Sequence, residues 1–150
     1  ELVEESKADA DDIMKARAGV METIKSAAVP SGEFFNRLLT AYRMTLAARG
    51  LTDGDRVDLV DLLRPLSLLG DALDDWRKRP LAKVTEVPRY LLSYQLQRLR
   101  RDGKLTHEGR RLELGVATGG AARDKRNVLF VPTGPADGQY QLSVRFESAR

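Results

Sequence analysis

Apolar residues recur three and four apart from Ala10 to Leu99 and alternate from Arg110 onward, and this single switch of period requires helices first and a sheet second. The expected class is α+β, mostly α, with a small C-terminal antiparallel sheet. Ala10, Ile13, Met14, Val20, Met21, Ile24 and Ala28 mark one face of a helix from about residue 3 to 28, ended by Val29-Pro30. Arg17 and Gly19 interrupt that stripe, which is to pack on the domain or on a second copy. Ser31 is placed to cap a second helix with a wide apolar face, Phe34, Phe35, Leu38, Leu39, Tyr42 and Leu46, closed by Arg49-Gly50. Thr52 and Asp55 have the form of a capping box for a third helix carrying Val57, Leu59, Val60, Leu62 and Leu63. Pro65 lacks a backbone donor, so the chain is expected to restart there. A fourth helix then runs to about Lys78, with Leu66, Leu68, Leu69, Ala72, Leu73 and Trp76 in the core.

In the second half, Arg110 to Val116 alternates as a half-buried strand, and Asn127 to Val131 reads as its partner. Ala117 to Arg126 would then be the flexible tip between them, with Gly119-Gly120 followed by Arg123, Lys125 and Arg126. Asp137-Gly138 signals a turn into a third strand, Gln139 to Phe146, whose Tyr140, Leu142, Val144 and Phe146 share one face.

A chain of 150 residues can bury roughly 70% of its unfolded surface, so it needs no covalent staples. It contains no Cys, which excludes disulfides, thiolate metal sites and a cysteine nucleophile. No apolar run approaches the roughly 18 residues that cross a bilayer, and Glu1 to Glu5 lacks the regions of a signal peptide. A soluble, cytoplasmic protein without a membrane partner is expected. The chain opens on Glu1 and not Met, as a piece of a longer protein would. The net charge of +3 conceals a division: residues 1 to 75 carry 15 acidic and 9 basic side chains, whereas residues 76 to 150 carry 7 and 16. The chain therefore divides into an acidic helical region, 1–78, for homodimerisation or a protein partner, and a basic region, 79–150, for a polyanion.

The basic region opens with Leu81-Ala82-Lys83-Val84-Thr85-Glu86-Val87-Pro88-Arg89-Tyr90-Leu91-Leu92-Ser93-Tyr94-Gln95-Leu96-Gln97-Arg98-Leu99. This run resembles the helix-turn-helix of bacterial winged-helix regulators, over about 20 residues and, with the wing, over residues 81–131. Leu81, Ala82 and Val87 would pack the first helix on the second, and Leu92, Leu96 and Leu99 would anchor the second to the core. The opposite face would present Arg89, Tyr90, Ser93, Tyr94, Gln97, Arg98 and Arg101 to nucleic acid, with Lys104 and the wing residues Arg123, Lys125 and Arg126 beside the phosphates. Glu86 stands where the family has Gly, so a distorted or longer turn is expected; Pro88 replaces the usual cap and is acceptable at a first helical position.

Signals for enzyme chemistry are nearly absent. His107, the one His, is read as a surface or turn residue, and a single His builds no metal cluster. Asp11-Asp12 and Asp74-Asp75 point to different sides of a helix, and Gly119-Gly120 lacks the Gly-Lys-Ser/Thr ending of a phosphate loop. The expectation is a cofactor-free, non-enzymatic DNA-binding protein, double-stranded DNA before RNA, acting in transcription regulation or a DNA-processing assembly. The alternative is a protein-protein module of a larger bacterial assembly.

Overall fold

The computed structural model describes residues 2–70, 77–78, 80 and 83–149, with side chains from residue 10 onward. The expected core residues Ala72, Leu73 and Trp76, and Leu81-Ala82 at the start of the expected helix-turn-helix, lie outside the described residues. The elements in chain order are α1 (Leu2–Ala27), α2 (Ser31–Arg49), β1 (Val57–Asp58), a 3-10 turn (Leu59–Leu62), α3 (Leu63–Leu69), α4 (Arg89–Arg101), β2 (Thr106–His107), β3 (Arg110–Val116), a 3-10 turn (Gly119–Ala122), β4 (Leu129–Pro132) and β5 (Gly138–Ser148). The fold is α+β, as the change of period requires.

The helix boundaries follow from capping chemistry, with two departures from expectation. Pro30 and not Ser31 stands at the N-cap of α2, without a side-chain bond, and Ser31 is buried as the first helical residue. At the other end Gly50 takes a left-handed φ of 66°, and Leu51 N–H donates to the Leu46 carbonyl at 2.9 Å, which satisfies an orphan acceptor of the last turn. Of the expected capping box only one half forms: Thr52 N–H donates to the Asp55 carboxylate at 2.9 Å, whereas Asp55 N–H donates to the Thr52 backbone carbonyl at 3.1 Å, and the pair closes a turn that leads into β1 and not directly into a helix. Tyr42 explains the difference. Its buried hydroxyl donates to the Asp55 carbonyl at 2.6 Å and accepts from Gly54 N–H at 3.1 Å, which holds the turn against α2. Pro65 is the third residue of α3, within the first turn where a donor would be unpaired, so the helix starts two residues earlier than its ring suggests.

The sheet is antiparallel, in the order β1-β5-β3-β2, with β4 also paired to β5. Asn127 to Val131 was expected to pair with β3. Instead β4 takes the opposite edge of β5, from Leu129 opposite Gln141 to Pro132 opposite Gly138, so residues 117–128 cross from one edge of β5 to the other. The pairing of β3 with β5 also slips between Gly115 and Val116, where Ser143 and Gln141 are the successive partners and Leu142 is extra. That bulge reverses the alternation of β5. Val144 and Phe146 face the helices beyond it, but before it Gln141 is the fully buried residue, and Tyr140 and Leu142 do not join them as expected.

One core joins all these parts. Phe35, Leu38 and Tyr42 of α2, Leu59 and Leu62 of the turn, Leu92, Leu96 and Leu99 of α4, and Val131, Val144 and Phe146 of the sheet are nearly or wholly excluded from water. Each such side chain contributes about 1.5–3 kcal/mol on burial. His107 joins the margin of this core and is not a simple surface residue: its ring lies 5.5 Å from that of Phe35, and a Cβ added at Gly32 would meet it at 3.3 Å.

Candidate nucleic-acid interface

Helix α4 owes its placement to three leucines and to the way its ends are fastened. Leu92, Leu96 and Leu99, spaced four and three apart, turn one face into the core, with Gln95 buried beside them. At its C-terminus Gly103, φ 65°, completes a Schellman motif: Lys104 N–H donates to the Leu99 carbonyl at 2.8 Å and Gly103 N–H to that of Arg100 at 3.2 Å. Pro88 occupies the N-cap with extended backbone. Val84 to Pro88 have no regular secondary structure, and Val87 N–H donates to Ser67 Oγ at 2.8 Å. Glu86 needs no left-handed backbone, because Glu108 is the only described non-glycine residue with positive φ.

With the core side fixed, the rotation of 100° per residue turns Tyr90, Tyr94, Gln97 and Arg101 outward. Tyr90 is 51% exposed and Arg101 is exposed, while Ser93, Tyr94, Gln97 and Arg98 are half-buried. The two flanks of this row differ. Arg98 leans toward the α1–α2 joint, donating to the Val29 carbonyl at 3.1 Å, and is therefore held sideways. Toward the sheet, the loop Thr133–Pro135 beyond β4 meets Gln97, Arg100 and Arg101 across an open cleft of about 400 Å³.

Arg89 was expected to face nucleic acid. Its guanidinium is instead directed at backbone, donating to the carbonyls of Lys125 at 3.0 Å, Val128 at 3.3 Å and Arg126. It thereby ties the crossing segment to the first turn of α4. The same segment is fastened internally: Lys125 Nζ donates to the Ala122 carbonyl at 2.7 Å and sits 3.6 Å from the centre of the Tyr140 ring. Asp124 accepts from the backbone and side chain of Arg126, which holds its carboxyl below the usual range and raises the guanidinium. The expected flexible tip is thus a braced loop, and it places Arg123, Lys125 and Arg126 at the N-terminal end of α4.

The electrostatics separate this side from the rest of the sheet. On β3 and β5, Arg111 is bonded to Glu113 and Glu147 at 2.8 and 2.9 Å, and Arg145 to the same two at 2.7 and 2.8 Å. Arg145, as a hydrogen-bond donor, is the main reason Glu113 ionises below the usual carboxylate range. Around α4, by contrast, Arg89, Arg100, Lys104, Arg123 and Lys125 form no ion pair among the described residues, and Arg101 meets only Asp102, at 3.2 Å. Arg100 is the cation missed in the sequence; it was passed over because it stands beside the anchoring Leu99, and only the cleft reveals its exposure toward the Thr133 loop. The aromatic pair Phe130 and Tyr140, 5.2 Å apart, was missed as well, since the bulge that turns Tyr140 away from the core leaves no sequence signal. Among the described residues no group of three or more His, Asp or Glu could hold a metal, and no helix is long and apolar enough to cross a membrane. No protein-family model, no curated protein and no solved structure matches this chain.

Proposed function

We propose that the chain binds double-stranded DNA through α4, in the manner of a winged helix, and serves as a non-enzymatic DNA-binding unit. One observation carries the reading: an outward row of Tyr90, Tyr94, Gln97 and Arg101 lies between a braced basic loop at one end of α4 and Arg100 and Lys104 at the other, with few carboxylates to neutralise them. Amide, phenol and guanidinium groups on an exposed helix suit base edges, while cations at its two ends suit the phosphates on either side of a groove. The order of elements, helices followed by an antiparallel sheet with a basic helix leading into it, supports the reading; β4 pairs with β5 and not with β3, so the braced crossing loop, and not a β3–β4 hairpin, takes the place of the wing. In this reading Arg89 and Arg98 position the reading surface, and Tyr94, Gln97 and Arg101 touch DNA.

The test is fluorescence anisotropy with labelled duplex and single-stranded oligonucleotides at about 50 and 200 mM salt. Arg100, Arg101, Lys104, Arg123 and Lys125 would meet about five phosphates, so log affinity should fall against log salt with a slope of roughly −4 to −5. The double variants Arg101→Glu with Lys104→Glu, and Arg123→Glu with Lys125→Glu, should each weaken binding at least about tenfold. Absence of duplex binding at low salt overturns the reading and makes the same face a protein contact.

A further inference from the structure

Residues 10–23 of α1 are exposed throughout, and only Ile24 near the end of the helix is buried. The helix therefore stands off the body with Ile13 67%, Met14 70%, Val20 51% and Met21 39% exposed. Four large apolar side chains repeat at an interval of seven residues, the spacing of a helix-pairing seam. A lone helix of this length containing Gly19 has little stability of its own in water, because helices draw most of theirs from packing an amphipathic face.

We propose that this seam is covered by α1 of a second copy, running antiparallel and centred on Arg17. The pattern is symmetric about that residue: Ala10 is as far from it as Ile24, Ile13 as Met21, and Met14 as Val20. Reversing the helix about Arg17 lays each apolar side chain on another, Ile13 against the partner's Met21 and Met14 against the partner's Val20. At 100° per residue these positions fall within about 120° of one another around the helix, wide enough for a two-helix contact.

Charge selects the direction. Asp11 and Lys25 are two heptads apart and lie on the same flank of the seam, so antiparallel pairing brings Asp11 of each copy toward Lys25 of the other, at both ends. A parallel pairing keeps Asp11 of each copy 14 residues, about 21 Å, from Lys25 of the other, so neither finds its opposite charge. Asp12 and Glu22 turn away from the seam in either case. Arg17 meets its own symmetry mate at the centre, which weakens the pair and makes it adjustable. The proposal is independent of the DNA-binding reading, since α1 and the outward row of α4 are different surfaces.

The absence of cysteine makes the geometry directly testable on the 150-residue chain. Ile13→Cys and Met21→Cys are oxidised separately and as an equimolar mixture. Antiparallel pairing predicts a disulfide-linked heterodimer in the mixture and almost none from either variant alone. Self-linking of each variant alone would mean a parallel pair and overturn the proposal, as would no linking in any of the three samples. Sedimentation velocity gives the second readout: Arg17→Leu should tighten the dimer at least about tenfold by replacing like charges with an apolar layer, and Ile13→Lys should leave a monomer. A monomer at every concentration for both the parent and Arg17→Leu also overturns it. Both substitutions fall at exposed positions, and an unchanged urea midpoint for the body confirms that it has folded.

Discussion

Removing the Arg89 side chain distinguishes a brace from a DNA contact. Its guanidinium donates to three carbonyls of the segment that crosses β5, at 3.0 Å to Lys125, at 3.3 Å to Val128, and to Arg126. A hydrogen bond from a charged group contributes about 1.5–3 kcal/mol at best, and Arg89 is exposed, so water competes for each of the three. A net loss of about 2 kcal/mol is therefore expected for Arg89→Ala. With a urea dependence of about 2 kcal/mol/M, the unfolding midpoint should fall by about 1 M. Arg89→Lys should recover only part of this, since an ammonium cannot span three acceptors in the plane of a guanidinium. Amide exchange should quicken about 10- to 30-fold in residues 123–128, with α4 itself little changed. DNA affinity should also fall, because Arg123 and Lys125 lose their fixed place. The reasoning is refuted if midpoint and exchange stay put while the salt slope of DNA binding becomes less negative by about one, for Arg89 would then be a phosphate contact.

Other substitutions test the frame that holds the site. Tyr42→Phe removes the donor to the Asp55 carbonyl and the acceptor of Gly54 N–H, and should cost about 1–3 kcal/mol in urea denaturation. Burial raises the Tyr42 pKa, so the hydroxyl's contribution is complete below the unfolded value and is lost as alkaline pH rises through the folded one; Tyr42→Phe should flatten that limb. Glu108 and Gly109 form a two-residue turn with φ of 47° and 77° between β2 and β3, and Glu108→Asn should stabilise the chain by about 0.5–1 kcal/mol in thermal melts. Glu113 is held below the usual carboxylate range by Arg145, so its contribution is present above the unfolded pKa and disappears as pH falls through the folded one. Acid titration of Glu113→Gln should accordingly show a shallower stability loss between about pH 5 and 2 than the parent, with no difference in slope near neutrality.

Local spacing made much of this architecture legible. The leucines of α4, the apolar face of α2 and the turns at Gly50 and Asp137-Gly138 could be read because each depends on residues within one or two turns of each other. What escaped were decisions made at a distance. Thr52 and Asp55 carry the chemistry of a helix start, and only Tyr42, ten residues earlier, turns that motif toward a strand. The alternation of Tyr140, Leu142, Val144 and Phe146 is that of an ideal strand, yet one extra residue opposite Gly115 and Val116 exchanges its faces. The pairing of β4 was misread for a related reason: a strand of four residues carries no mark of which edge it will join, and the twelve residues before it are long enough to cross. The outward row on α4 was legible as a helix face, but the spending of Arg89 and Arg98 on carbonyls was not, since nothing in an Arg's sequence neighbours indicates where five donors will go.

The same distinction decides how the charge of the second half should be counted. Sixteen basic residues suggest a broad cationic surface, but the carboxylates are distributed unevenly among them. Arg111 and Arg145 share Glu113 and Glu147 on the outer face of β3 and β5, and Arg110, on the other face of β3, is bonded to Asp53, so the sheet is close to neutral beyond a Debye length. The uncompensated cations gather about α4 and the crossing loop, which makes the attractive field narrower than composition implies and aligns it with the outward row. A salt slope near −5 is what those few cations can produce. A slope near −8 would require the arginines of the sheet to exchange carboxylates for phosphates, and Glu113→Gln would then strengthen binding by releasing Arg145 in advance. With the narrower field, Glu113→Gln leaves both affinity and slope where they were, so one substitution far from α4 measures how far the polyanion extends across the molecule.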